Sequence, residues 1–243
     1  MVSDLIDAYP DTFAVVEYHV SDAYTTPWGN QRKIFYGANL LPWFSYDGLF
    51  DAWPIETYES KFLARQQVPT DVGIDITAQA IDDDTYEFTA ELCLEPDGTA
   101  RTVRVYMVQV LDYFPFELSS ARNGFRQAAA TEDVQLLPGT CETVIRQFTF
   151  DADSMGHQSD IKIIAWAQEP LNSGPAEVHQ AAGIVWPFAA PCPADFDGDN
   201  DVDTADLLHL LGAWGTADGD VDDDGDTDTS DLLALLASWG ECS

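Results

Sequence analysis

The chain has 243 residues and a formal net charge of −33, from 43 acidic residues against ten Lys and Arg. Acidity on that scale repels the phosphates of nucleic acid and the headgroups of an anionic membrane, and so speaks against both as partners. With 46% hydrophobic residues and seven Trp the chain can bury a substantial core, yet no stretch reaches the roughly 18 apolar residues of a membrane span.

In chain order, residues 12–20 (Thr-Phe-Ala-Val-Val-Glu-Tyr-His-Val) form a short apolar run that predicts a buried strand. Asn30 to Asn39 predict a helix. Leu40 to Gly48, with Pro42 near the start and an Asp47-Gly48 turn at the end, predict a second strand. Residues 55–67, around Tyr58, Phe62 and Leu63, predict a further helix. Strand, helix, Pro-led strand, Asp-Gly turn and helix resemble the later part of a thioredoxin fold. In that family the proline standing where Pro42 does is cis and faces the redox site. Its Cys-x-x-Cys motif is missing here, and only eleven residues precede Thr12. The resemblance therefore implies a truncated thioredoxin-like α/β segment over 1–67, with the catalytic motif and any signal peptide upstream of Met1. An ordinary α/β fragment, or an added layer on the next domain, is the alternative. As it stands, the chain lacks the thiolate nucleophile and resolving thiol of disulfide exchange. Trp28, Phe35, Tyr36, Trp43, Phe44, Tyr46 and Trp53 crowd this segment. They suit a carbohydrate or peptide groove, or a packed core.

From Val72 the pattern has period 2: Val72, Ile74, Ile76 and Ala78, then Tyr86, Phe88, Ala90, Leu92 and Leu94. Val103, Val105 and Met107 follow, then Val144, Arg146, Phe148 and Phe150, and last Ile161, Ile163, Ala165 and Ala167. Turn residues separate these runs at Asp82–Asp84, Pro96-Asp-Gly98, Pro138-Gly139 and Asp151–Ser154. The spacing predicts an antiparallel β-sandwich of immunoglobulin or fibronectin type III kind over 68–187. A thioredoxin-like front followed by such a sandwich, closed by Ile161–Gln168, resembles Omp28-like secreted bacterial proteins. Cys93 shares a strand face with Glu91 and Glu95, which places it outside the core, and Cys141 is its candidate disulfide partner.

Residues 188–193 read as a linker. The segment 194–243 then repeats one pattern at an interval of 25 residues: an acidic twelve-residue loop followed by a Leu-rich helix ending in Trp-Gly. The first loop runs from Asp195 to Asp206, the second from Asp220 to Asp231. Acids at loop positions 1, 3, 5, 9 and 12 occupy the side-chain positions of a calcium loop, and position 7 contributes its carbonyl. The expected ligands are Asp195, Asp197, Asp199, Asp201 (carbonyl), Asp203 and Asp206. In the second loop they are Asp220, Asp222, Asp224, Asp226 (carbonyl), Asp228 and Asp231. Gly225 and Asn200 fill position 6, where the chain turns sharply with positive φ. Two calcium ions are thus the expected cofactors of these EF-hand-like loops. Leu207, Leu208, Leu210 and Leu211 are expected to pack against Leu232, Leu233, Leu235 and Leu236, with Trp214 and Trp239 related by a pseudo-two-fold.

This tandem resembles a type I dockerin, a small all-α module of two loop-helix repeats. The resemblance implies an extracellular protein held, calcium-dependently, to a cohesin-like domain or surface scaffold. The segment contains no Lys or Arg, which dockerins of cellulosomes usually carry on the recognition helix. Loop positions 10 and 11 are Thr204-Ala205 and Thr229-Ser230. Cys192 and Cys242 flank the repeats, and in a two-fold module whose ends meet they are candidates for a disulfide clasp, or else two separate thiols. Paired cysteines and calcium modules both point outside the cytosol.

No catalytic constellation emerges. His19, His157, His179 and His209 stand alone, without a second His or Cys at i+2, i+3 or i+4 that would suggest zinc. Neither a Gly-x-Ser-x-Gly elbow nor a phosphate loop occurs. The sequence reads as a multidomain, extracellular, non-catalytic protein anchored by its tail. The alternatives are a thiol-disulfide protein with its motif upstream, or an accessory of a polysaccharide-degrading assembly.

Overall fold

A computed structural model describes residues 2–10, 12–39, 43–51, 58–116, 121–188, 194–197, 201–222 and 224–241. The chain divides into two compact units, Met1–Trp186 and Pro187–Ser243.

The first unit contains two antiparallel sheets that form a β-sandwich. After the helices α1 (Val2–Ala8), α2 (Pro27–Tyr36) and α3 (Tyr58–Gln66), and a small hairpin of β1 (Ser45–Tyr46) and β2 (Phe50–Asp51), come β3 (Val72–Asp82), β4 (Thr85–Leu94) and β5 (Arg101–Leu111). Next are β6 (Gly124–Ala128), β7 (Glu132–Leu136), β8 (Cys141–Thr149), the single turn α4 (Ala152–Met155), β9 (Ile161–Gln168) and β10 (Val178–Val185). One sheet has the order β3-β4-β8; the other runs β10-β9-β5-β6, with β7 also pairing β5.

Alternation explains the three-stranded sheet. In β4 Phe88, Ala90, Leu92 and Leu94 are buried, and in β8 Val144 and Phe148, while the residues between them are more exposed. Cys93 and Cys141 face each other across β4 and β8 and form a disulfide. It lies on the outer face, beside exposed Glu91, as its sequence neighbours imply. Closing a loop of 48 residues contributes about 4 kcal/mol in the chain-entropy model. Reduction, or the Cys93→Ser/Cys141→Ser pair, should therefore cost about 2–4 kcal/mol in urea unfolding followed by tyrosine and tryptophan fluorescence; an unchanged midpoint would refute that role.

The central strands behave differently. From Val105 to Leu111 and from Ile163 to Gln168 the side chains of β5 and β9 are buried on both faces. Val103, Val105, Met107 and Leu111 face the three-stranded sheet, whereas Tyr106, Val108 and Val110 join Phe125, Ile164 and Trp166 in a second core. Val16, Tyr18 and Trp28 from the front of the chain cover that second core. The front is thus a layer on the five-stranded sheet, and its described residues hold no sheet beyond the β1–β2 hairpin.

Several expectations need correction. Residues 12–20 are not a strand: they make a single parallel bridge, Glu17 to Gly124, and otherwise use their apolar side chains to cap the sheet face. The helix expected from Asn30 begins at Pro27, because Thr26 accepts from the Gly29 amide and proline suits the first helical position. It ends at Gly37, whose φ of 67° only glycine adopts without strain. Of the strand expected over Leu40–Gly48, two residues pair, while Leu40, Leu41 and Pro42 lie outside the described residues, as does Trp53. Asp47 and Gly48 both have positive φ, and a Cβ on Gly48 would meet the Ala176 carbonyl at 1.9 Å, so this turn docks tightly on the approach to β10. The turn expected at Asp151–Ser154 is a helical turn, with Asp151 accepting from the Ser154 amide.

Candidate metal centre

The second unit is built from the two repeats. Its helices α5 (Thr204–Gly212) and α6 (Thr229–Ala237) begin identically. Asp203 and Asp228 take the N-cap position with extended backbone and accept from the amides of Ala205 and Ser230, both at 2.6 Å. In return Asp206 and Asp231 accept from the N-cap amides, at 2.8 and 2.6 Å, completing a reciprocal capping box. An acid in the first turn also complements the helix dipole.

Asp206 and Asp231 are fully buried and do a second job. The Oδ1 of Asp206 accepts from Phe196 at 2.7 Å and from Asp197 at 3.4 Å, and that of Asp231 from Val221 at 2.7 Å and Asp222 at 3.3 Å. Position 12 thereby folds each loop back on itself. Burial alone would raise the Asp206 carboxyl, but amides of Asp203, Phe196 and Asp197 outweigh it and hold it below the usual range. For Asp231 the Asp228 and Val221 amides lower it against a smaller burial effect.

Around these anchors the other acids converge. Carboxylate oxygens of Asp195, Asp197 and Asp206 lie within 4.8 Å of one another, and so do those of Asp220, Asp222 and Asp224. Asp220 also accepts from the amides of Asp224 and Gly225, at 3.1 and 2.8 Å, which wraps the loop around its first residue. Gly225, at φ 103°, makes the sharp turn at position 6. Asp199 and Asn200 lie outside the described residues, as do Cys192 and Cys242. Crowding has an electrostatic effect: burial and Asp224 raise the Asp222 carboxyl, and Asp224 followed by burial raises that of Asp226.

The donor set fits a hard divalent cation. All the converging atoms are oxygens, and a calcium ion with ligands at 2.3–2.6 Å spans opposite donors by about 5 Å. Asp203 and Asp228 each spend an oxygen on the helix cap, and Asp206, Asp231 and Asp220 accept amides at both carboxylate oxygens.

The two halves are joined through position 8. Val202, fully buried, belongs to β11 (Asp201–Val202), which pairs with β12 (Gly240–Glu241) after the second helix. Its counterpart Thr227 accepts from Gly215 at its carbonyl (2.9 Å), and its hydroxyl donates to Thr216 O at 2.7 Å. Each position-8 residue is thus met by the glycine that follows a tryptophan, Gly240 or Gly215.

Leu packing is narrower than the sequence reading. Leu210 and Leu235 are fully buried with Ala194 and Val202, and Leu207 and Leu232 pack partly against them. Leu208 and Leu233 are instead 70% and 68% exposed, Leu211 and Leu236 both 49%, Trp214 and Trp239 45% and 46%. One stripe of a short helix can enter the core, so the second Leu of each pair points outward. The surplus of apolar residues on nine-residue helices was the available signal for that exposed face.

Among the described residues no helix is long and apolar enough to cross a membrane. No protein-family model matches the chain, and neither does any curated protein. Among solved structures, HBP35 of Porphyromonas gingivalis is similar at TM-score 0.54 and 13% identity, over 70% of this chain and 62% of that one. A domain of the outer membrane lipoprotein Omp28 from the same organism gives TM-score 0.35 at 14% identity, over 49% of this chain and 91% of that domain. A β-glucosidase from Kluyveromyces marxianus gives 0.29 at 14% identity, over 48% of this chain and 14% of the enzyme. The chain thus spans less than two thirds of HBP35, and what the two share is a fold.

Proposed function

We propose that the second unit is a dockerin-like, calcium-loaded module that holds a non-catalytic protein to a cohesin-like partner outside the cytosol. The observation that carries this reading is the doubled arrangement in which carboxylates converge in each loop and each repeat exposes two Leu of its helix and the Trp that follows it. Asp195, Asp197, Asp206, Asp220, Asp222 and Asp224 would hold the ions, joined by Asp199, Asp203, Asp228 and Asp231 and the carbonyls of Asp201 and Asp226. Calcium would neutralise the loops and so fix the angle of each helix. The Cys93–Cys141 disulfide supports an oxidising compartment. Leu208, Leu211 and Trp214, with Leu233, Leu236 and Trp239, supply an apolar contact surface suited to a partner whose recognition does not rest on basic residues.

The test is binding of the full chain to a panel of purified cohesin domains, with calcium and with EGTA. Calcium-dependent capture by at least one cohesin is expected, weakened at least about tenfold by the Leu208→Asp/Leu233→Asp pair, because charges would be buried in the contact. Absence of capture by every cohesin at millimolar calcium would reject the docking reading.

A further inference from the structure

We infer that a cavity beside Arg32 in the first unit binds a small organic carboxylate with an apolar body. The cavity has a volume of about 560 Å³, within the range of small-molecule sites. It lies between the extended segment 13–20, α2, the β1–β2 turn and the outer face of the five-stranded sheet. Tyr18, Tyr36, Trp43, Tyr46 and Trp166 are among the residues that line it.

Arg32 is 6% exposed, the most buried of the seven arginines. Its guanidinium carbon sits 4.6 Å from the Phe35 ring centroid, 4.7 Å from Tyr106, 4.8 Å from Tyr36, 5.6 Å from Trp28 and 5.8 Å from Trp166. Its Nη2 donates to the Tyr36 hydroxyl at 2.7 Å and to Gln168 Oε1 at 3.0 Å, both neutral acceptors. Its Nε has no hydrogen-bond partner. The other six arginines all pair with a carboxylate: Arg65 with Asp47, Arg101 with Asp71, Arg104 with Asp133, Arg122 with Asp112, Arg126 with Asp151 and Arg146 with Glu132. Among the described residues Arg32 has no carboxylate, in a chain with 43 acids to offer.

A buried guanidinium without a counter-ion is unfavourable, and ring faces offset only part of the cost. They also leave its Nε–H unused. A carboxylate supplies both the charge and the planar acceptor that a guanidinium fork matches. Two further polar atoms without hydrogen bonds, Tyr46 Oη and His19 Nε2, belong to residues lining the same cavity. His19 Nε2 comes no nearer to an acid than 3.8 Å, at Glu17 Oε1.

Acids lining the cavity limit the ligand's charge. Glu17, Asp22 and Asp47 have side chains 42–44% exposed, and Asp22 and Asp47 are already bonded to His19 and Arg65. A single carboxylate reaching Arg32 past them is admitted more readily than a phosphate of higher charge. The aromatic walls select an apolar body behind the carboxylate.

The test uses phenylbutyrate and its neutral isostere phenylbutyramide, titrated into the full chain by calorimetry and tryptophan fluorescence. The acid should bind at one site per chain and at least about tenfold more tightly than the amide. Arg32→Gln should abolish that preference. If this variant fails to fold, Arg32→Lys, which keeps the charge but loses the fork, should weaken the acid several-fold and leave the amide unchanged. No binding of the acid at millimolar concentration, equal affinities for acid and amide, or a preference untouched in folded Arg32 variants would each overturn the assignment.

Discussion

Removing calcium from the full chain should melt α5 and α6 while leaving the sandwich intact. Nine-residue helices are marginal by themselves, and among the described residues of this unit the core cluster that the helices share is small, with Ala194, Val202, Leu210 and Leu235 at its centre. Against that small core stand two clusters of carboxylates, with fifteen acids and no Lys or Arg from Cys192 to the end. At a calcium concentration of about 100 times Kd each site would add about 2.7 kcal/mol, or about 5 kcal/mol for two. The expected result is uptake of two ions per chain in calorimetry, with helical circular dichroism lost on adding EGTA and regained with calcium. Asp220→Ala should weaken one of the two sites and loosen α6, since Asp220 is both a cluster member and the acceptor for Asp224 and Gly225. Zero stoichiometry, or helicity indifferent to EGTA, would end the calcium reading.

Asp112→Asn should destabilise the first unit by about 3–5 kcal/mol, the usual cost of leaving one half of a buried ion pair behind. Asp112 and Arg122 are 5% and 7% exposed and meet at 2.6 and 3.0 Å. Lys162 approaches the same carboxylate at 3.1 Å, and the Asn123 amide donates to it at 3.2 Å. Arg122 also donates to Asp7 at 2.7 Å and to Ser3 at 3.3 Å, so the pair fastens α1 to the end of β5. The control is Asp133→Asn, which breaks the more exposed pair with Arg104 and should cost no more than about 1 kcal/mol. The pH dependence has a definite sign. Burial by itself would raise the Asp112 carboxyl, but Arg122 and Lys162 outweigh it and lower it. A depressed native value means the stabilisation is complete above the unfolded value of about 3.9 and disappears as pH falls through the lower native one. Urea midpoints of parent and variant should therefore differ by a constant amount from neutrality to about pH 4.5 and converge below it. A gap that persists unchanged at pH 2 would show that lost packing, rather than the charge, is responsible.

The strands β3, β4 and β8 were legible because about one residue in two is apolar, and β9 because six of its eight residues are. Even β5, buried on both faces, announces itself through Val103, Val105 and Met107. β10 was not legible: Val178-His-Gln-Ala-Ala-Gly-Ile-Val185 is rich in small residues of weak strand preference, and it forms because β9 offers it a complete ladder. β6 and β7 are five residues each, too short for a pattern to emerge. Residues 12–20 misled for the opposite reason. Their apolar content is that of a strand, but Val16 and Tyr18 spend it on the face of a sheet rather than in a ladder. The same holds for Trp28, whose ring stacks on Phe125 at 4.9 Å and belongs to core, while Trp43 lines the cavity.

The acidic loops could be read from sequence alone because their geometry is local. Twelve residues carry the ligand register, the cap and the start of the helix, and no distant segment has to be known for Asp203 and Asp206, or Asp228 and Asp231, to find each other's amides. The Cys93–Cys141 pairing, the outward turn of Leu208 and Leu233, and the isolation of Arg32 were decided by tertiary structure. Each depends on which residues from 25 to 136 positions away come to lie alongside. Arg32 makes the difference plain. In Asn-Gln-Arg-Lys-Ile-Phe-Tyr it reads as a solvated residue of a polar helix, and only the fold, by laying α2 on Tyr106, Trp166 and Gln168, turns it into a buried charge without an acid.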